Sequence, residues 1–208
     1  MKITQRHGKA AFTLIELMAV ITIIVILAGL VVGGLGYVTE RQAKSKALVQ
    51  IALLSKALEE YKLDMGTYPS TNNVPSVSGS GGTNTSAVYL YQALFYEGYD
   101  YGKQATPPAT WTKASKIYLP DLDPTSTKQG WVANVTTVPA STPVLDPWGN
   151  QYCYRTATTA AGVANAATQN PDFDLWSMGK DAYSDTSKSP DYYDPVLKRG
   201  NRDDIRNF

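Results

Sequence analysis

The sequence predicts an α+β protein: a long N-terminal α-helix, membrane-spanning in its first half and amphipathic in its second, packed on a small antiparallel β-sheet domain with long loops. Three observations carry this. Phe12 to Leu35, FTLIELMAVITIIVILAGLVVGGL, is an almost unbroken apolar run holding one acid, Glu16. From Tyr37 to Leu63 the apolar residues thin out into a single helical stripe. Beyond Gly66 the chain is polar and loop-rich, with short alternating segments near Gln151 and Phe173 bounded by turn residues.

At 208 residues the chain has room for one moderate soluble domain beside the apolar segment. Its net charge of +1 joins a basic N-terminus to an acidic C-terminal end, and nothing supplies the dense basic face of a nucleic-acid binder. Cys153 is the single cysteine and His7 the single histidine, so an intrachain disulfide, a zinc site and a Ser/His or Cys/His nucleophile pair all lack their parts. The expectation is therefore no enzyme. The remote alternative is a single-span membrane-tethered enzyme, such as a glycosidase using paired carboxylates, or a sugar-binding module.

Residues 1 to 11, MKITQRHGKAA, carry Lys2, Arg6 and Lys9 and no acid, which keeps this end cytoplasmic by the positive-inside rule and sends the remainder across the membrane. Two dozen helical residues at about 1.5 Å each reach roughly 36 Å, enough to cross the hydrocarbon core. A secretory signal would have a shorter apolar region ending in a small-x-small cleavage site, and Ile26-Leu27-Ala28 is a poor one. The anomaly is Glu16. An acid such as Asp at mid-membrane costs about 2.5 to 3.5 kcal/mol; nearer the end the cost falls, but a partner is still needed. Gly29, Gly33, Gly34 and Gly36 lie toward the far end of the run, each costing about 1 kcal/mol of helix propensity relative to Ala. Gly29 and Gly33 form a small-xxx-small pair suited to close helix packing.

Ala43, Ala47, Ile51, Leu54, Leu58 and Tyr61 recur at spacings of four and three, placing them on one helical face with Arg41, Lys44, Lys46, Lys56, Glu59 and Glu60 mostly elsewhere. That stripe is read as core, and Gly66 and Pro69 end the helix. Pro75 to Ser86 reads as a loop, and Ala87 to Tyr96 as a short helix turning Leu90, Leu94 and Phe95 inward. Gly98 to Thr142 is Pro- and Thr-rich; Trp111 and Trp131 within it are expected to be buried anchors rather than a carbohydrate platform. Asp146-Pro147-Trp148-Gly149 suits a type I turn. Gln151 to Arg155 and Phe173 to Ser177 then read as the strands of a β-hairpin. The tail from Ser177 is acidic, and on composition alone is a solvated end.

Several of these motifs together carry a family resemblance. Lys9-Ala10-Ala11 followed by Phe12-Thr13-Leu14-Ile15-Glu16-Leu17 resembles the class III signal of type IV pilins and type II secretion pseudopilins. Tyr61 to Pro69, YKLDMGTYP, is similar to the helix exit of the major pseudopilins, and Asp146-Pro147-Trp148-Gly149-Asn150 before Tyr152 and Tyr154 resembles their most specific soluble-domain motif. The resemblance implies a pilin-like fold, cleavage by a prepilin peptidase between Ala11 and Phe12, and N-methylation of the new Phe12 amine. It also implies that Glu16 neutralises that amine on a neighbouring subunit during assembly, so that a buried charge is relieved only in the correct stagger. Ala11 stands where the family usually has Gly. The glycine-bearing stretch would correspond to the part of pilin helices that melts in the filament.

Trp176-Ser177-Met178-Gly179-Lys180-Asp181 resembles the Ser-x-Gly-x-Asp loop of calcium-binding pseudopilins, and Asp203-Asp204-Ile205-Arg206-Asn207-Phe208 their terminal motif. Carried over, this implies a structural Ca²⁺ held by Asp181, Asp203 and Asp204, with Ser177 contributing a carbonyl or hydroxyl; Ca²⁺ takes six to eight oxygen ligands. Between Asp185 and Arg202 an insertion replaces a short link, leaving the roles of Asp185, Asp191 and Asp194 open, and residues 70 to 142 are longer than expected and carry no recognised motif of the family.

The expected division is a leader at 1–11, a transmembrane and polymerisation helix at 12–36, an amphipathic helix at 37–65, and a periplasmic pseudopilin-type domain at 66–208. The implied function is that of a structural subunit of a periplasmic pseudopilus, anchored in the inner membrane, that polymerises to drive type II protein secretion. The implied partners are copies of itself, minor pseudopilins, the prepilin peptidase, an inner-membrane assembly platform with its ATPase and, indirectly, the secretin. The alternative within the family is a subunit of a type IV pilus serving adhesion, motility or DNA uptake.

Overall fold

A computed structural model of the chain describes residues 12–69, 85–95, 116–123, 130–132, 142–158, 162–185 and 191–207, with 32–35 and 85 described by backbone alone. The expected leader with Ala11, the loop before the second helix, Trp111 and Phe208 lie outside the described residues. The chain divides into two units, Met1–Gln42 and Ala43–Phe208.

Helix α1 runs Leu14–Met65, 52 residues, as the apolar run and the stripe together predict. Its start is fixed by a reciprocal capping box. Thr13 donates through its backbone N–H (2.9 Å) and its hydroxyl (2.7 Å) to Glu16 Oε2, while the Glu16 N–H donates back to Thr13 Oγ1 at 3.3 Å. Its end is fixed by Gly66, which takes a left-handed φ of 77° and donates its N–H to the Lys62 carbonyl at 2.8 Å. In the first unit the described apolar side chains from Phe12 to Val31, Leu14, Ile15, Leu17, Ile21 and Ile24 among them, are exposed.

In the second unit the predicted stripe is core: Ala47, Ile51, Leu54, Leu58 and Tyr61 are buried, and Ala43 is half-buried. A fully buried leucine such as Leu54 or Leu58 contributes about 1.5 to 3 kcal/mol. Helix α2 spans Thr85–Phe95, two residues earlier at its start than the hydrophobic pattern indicated, and buries Leu90, Leu94 and Phe95 as expected. A 3₁₀ turn at Pro120–Leu122 seats Leu122 in the core, and Trp131 is buried as predicted.

The main sheet has three antiparallel strands in the order β1 (Cys153–Thr156), β2 (Phe173–Ser177) and β5 (Ile205–Arg206). A separate hairpin pairs β3 (Tyr193–Asp194) with β4 (Arg199–Gly200). The expected β1–β2 hairpin is present, with two differences. Gln151 belongs to an isolated bridge with Leu145 that closes the preceding turn, and every residue of β1 and β2 is buried, so their alternation marks no wet face.

Polar side chains on the sheet are instead paired inside the protein. Arg155 and Asp174 face each other across β1 and β2 with Arg155 Nε 2.8 Å and Nη2 2.7 Å from Asp174 Oδ2, their side chains 1% and 0% exposed. The Arg155 guanidinium lies 5.2 Å from the Trp176 ring centroid, and Asp174 also accepts the N–H groups of Gln169 and Asn170 at 2.9 Å each. Gln50 on α1 accepts from the Tyr152 hydroxyl at 2.8 Å, and the Tyr154 hydroxyl donates to the Pro69 carbonyl at 2.9 Å. These bonds fix helix to sheet by direction as well as by area.

Breaking a buried pair strands its partner charge, so Asp174→Ala is expected to destabilise the chain by roughly 3 to 5 kcal/mol. Asp172→Ala, which breaks the exposed pair with Lys62, should leave the curve almost unmoved. Urea unfolding of the detergent-solubilised protein, followed by tryptophan fluorescence, separates the two.

Candidate functional site

Two places carry the predicted site residues. The first is the start of α1. Glu16 is exposed on the surface of the helix, and its carboxylate folds back onto Thr13 rather than standing free. The first N–H groups of a helix have no intrahelical acceptor, and inside lipid no water replaces one. Glu16 thus satisfies a backbone donor while its charge stays unneutralised. Phe12 is exposed beside it. Thr13 went unrecognised in the sequence reading, although Thr13-x-x-Glu16 ahead of an apolar run is the capping-box signature. Among the described residues one helix, α1, is long and apolar enough to cross a membrane, and none of its most apolar stretch is buried within the chain.

The second place is where β2, the loop after it and the C-terminal residues meet. Ser177 ends β2 fully buried, with its hydroxyl donating to Asp146 Oδ2 at 2.6 Å and accepting the Gly179 N–H at 3.0 Å. The Asp146–Asn150 turn is therefore more than a hairpin corner. Asp146 Oδ1 accepts the N–H groups of Trp148 (3.0 Å) and Asn150 (2.8 Å), and the Asn150 amide donates to the Gly179 carbonyl at 2.6 Å. Burial pushes the Asp146 carboxyl up to about 6, against the pull of the Ser177 hydroxyl and of the turn N–H groups.

The structure brings Asp181 and Asp203 into direct contact, the Asp181 N–H donating to Asp203 Oδ2 at 3.0 Å. A side chain at position 179 would run into Asp203, which accounts for glycine there. Asp181 Oδ1 accepts the Tyr183 N–H (2.9 Å) and its Oδ2 the Gly200 N–H (2.6 Å). Burial is the main reason its carboxyl lies above the ordinary value, and the Asp203 charge adds to it. Asp204 follows, with Oδ2 held by the Ser184 hydroxyl and by Arg206, both at 2.6 Å. Burial pushes Asp204 up to about 6, the Ser184 and Arg206 bonds pulling the other way. Its side chain is 1% exposed, yet its Oδ1 has no hydrogen-bond partner among the described residues.

Among the described residues no three acidic, histidine or cysteine side chains are gathered into a finished metal cage. What is present is oxygen donors only: Asp181 and Asp203 in contact, and Asp204, next in the chain, with one buried carboxylate oxygen left over beside its bonds to Ser184 and Arg206. Oxygen donors are the type a hard cation such as Ca²⁺ takes. Asp146, Asn150, Gly200 and Asn201 were not recognised as parts of this region. Asp194 lies in β3 and Asp191 just ahead of it, the Asp191 carbonyl accepting from Arg202 at 2.9 Å and Asp194 Oδ1 from the N–H groups of Val196 and Leu197. The Asp185 N–H and carbonyl are both bonded to the Asn201 side chain.

Residues 6–32 match the family model of the prokaryotic N-terminal methylation motif, and residues 36–77 that of type II secretion system protein G. The chain is 31% identical over 180 residues to the type II secretion system core protein G of Pseudomonas aeruginosa, covering 85% of this chain and 87% of that protein. It is 45% identical over 67 residues to the core protein G of Aeromonas hydrophila, covering 32% of this chain and 47% of the relative. Against that of Escherichia coli it is 51% identical over 61 residues, covering 29% and 42%. The chain thus spans less than half the length of the latter two relatives, both through short matches. No solved structure matches it. The methylation motif, the protein G model and the alignment along most of the Pseudomonas protein agree, and the chain belongs to the type II secretion system protein G family.

Proposed function

We propose that this protein is the major structural subunit of a type II secretion pseudopilus, anchored in the inner membrane by α1 with its C-terminal domain in the periplasm, and that it polymerises through that helix. The single observation that carries the reading is the uncovered apolar surface of α1 with Glu16 at its start. A lone anchor requires the apolar surface and is only penalised by the acid. A polymer uses both: identical helices bury one another, and each Glu16 meets the amine of a neighbouring Phe12 once a prepilin peptidase has cut after Ala11. The peptidase, minor pseudopilins, assembly platform, ATPase and secretin enter as the partners such a filament requires. Its role is mechanical, with no reaction of its own.

Glu16→Val tests this. The substitution removes a charge from lipid, so membrane insertion is expected to be unchanged or improved while assembly is lost, read by membrane fractionation and by cross-linking of filaments. Filaments that form normally without Glu16 contradict the reading.

We also propose that Asp181, Asp203 and Asp204, with Ser177 at the edge, hold a structural Ca²⁺. The orphaned Asp204 Oδ1 is the main support. When bound, the ion would offset the mutual repulsion of the acids and fasten the C-terminal residues to the β2 loop. The Ser177 hydroxyl is already engaged by Asp146 and Gly179, so its carbonyl is the group it offers. Converting both Asp203 and Asp204 to Ala is expected to lower the melting temperature and abolish its rise with Ca²⁺. Identical melting of the parent protein in Ca²⁺ and in chelator contradicts the proposal.

A further inference from the structure

The inserted hairpin shows an unusual balance of attachments. Tyr193 pairs with Gly200 and Asp194 with Arg199, and the turn between them is closed by Asp194. At its tip Val196 is 85% and Leu197 56% exposed. A two-stranded hairpin is marginal in water without a packed face, and this one presents its apolar tip outward. Its hold is at the base. Gly200 donates to Asp181 at 2.6 Å, the Asn201 side chain bonds both the N–H (2.7 Å) and the carbonyl (2.8 Å) of Asp185, and Arg199 lies 4.6 Å from the Tyr183 ring centroid. A Cβ at position 200 would collide with the Tyr192 carbonyl and the Tyr193 backbone, so the close approach that lets the Gly200 N–H reach Asp181 is open to glycine.

We propose that Gly200 is a positioning residue for the Asp181 carboxylate, that the β3–β4 hairpin forms the closing wall of the cation site, and that Ca²⁺ binding and hairpin order strengthen each other. The inference rests on the calcium reading above. The same carboxylate that would hold the ion anchors the hairpin. Its contact with Asp203 through the Asp181 N–H ties that anchor to a second acid, and Asp204, with its orphaned oxygen, follows Asp203 in the chain. A carboxylate already fixed by Gly200 and Tyr183 loses less freedom when a cation arrives, which raises affinity. By reciprocity the bound cation fixes the carboxylate and so steadies the strand that bonds to it.

The full chain in detergent micelles, titrated with CaCl₂ by calorimetry and digested with trypsin, tests this. Lys198-Arg199 at the exposed turn is the reporter bond. Saturating Ca²⁺ is expected to slow its cleavage severalfold relative to chelator. Gly200→Ala is expected to weaken Ca²⁺ affinity about tenfold, the lower end for loss of a group that orients a ligand. Its melting temperature in chelator should fall by much less than its Ca²⁺-dependent rise. Should Gly200→Ala not fold, Asn201→Ala, which releases the Asp185 backbone and leaves Gly200 in place, is expected to show the same loss of affinity. Unchanged affinity in the folded variant, or cleavage indifferent to Ca²⁺, overturns the coupling and leaves the calcium site standing. Absence of Ca²⁺ binding by the parent protein overturns both.

Discussion

Helix α1 carries more apolar surface than the chain itself covers, and this constraint governs the rest of the molecule. Each exposed Leu, Ile or Val between Leu14 and Val31 forgoes about 1.5 to 3 kcal/mol available on burial, so the run as a whole forgoes tens of kcal/mol in water. Lipid or other copies of the same helix must supply the cover. Both are poor solvents for a helix end, and the Thr13–Glu16 capping box answers that problem locally by supplying acceptors to N–H groups that would otherwise have none. A charge is left over, and in an oily surrounding it is relieved by taking up a proton or by meeting a cation at the right height. The capping geometry and the proposed register function of Glu16 are two consequences of placing one carboxylate at the third position of a helix apolar enough to cross a membrane.

The second unit follows different rules although the same helix supplies its core. A small sheet of three strands, one of them two residues long, cannot be specified by hydrophobic area alone. Directional bonds do much of the specifying: Gln50 to Tyr152 between helix and sheet, Arg155 to Asp174 within the sheet, and Ser177 to Asp146 between strand and turn. The C-terminus is fastened in the same way. Asn207 pairs with Leu175 as a strand residue would, its N–H donating to the Leu175 carbonyl at 3.0 Å while its side chain accepts the Leu175 N–H at 2.8 Å.

This difference explains what could be read from the sequence. Helix α1 was legible along its length because its apolar run, its stripe and its Gly66 stop each leave a periodic or local mark. The β1–β2 hairpin was legible from the two short alternating segments and the turn ahead of the first, but not its burial, since Arg155 and Asp174 read as surface residues until their cross-strand register is known. Strands of two residues have no period, so β3, β4 and β5 left no pattern to find. Of the candidate site, the acids were visible as types, and the structure places Asp181 against Asp203. The groups that hold them, Asn150, Gly200 and Asn201, act through backbone contacts between segments 16 to 29 residues apart. The Thr13 cap is legible in Thr13-x-x-Glu16 ahead of an apolar run.

The most direct measurement is the structure of filaments assembled from this chain, determined by electron cryomicroscopy. Residues 14–31 are expected to form the filament core, with each Glu16 carboxylate in ion-pair contact with the Phe12 amine of a neighbouring copy. Filaments held together by the C-terminal domains, with the apolar helices on the outside or Glu16 far from any amine, would contradict it.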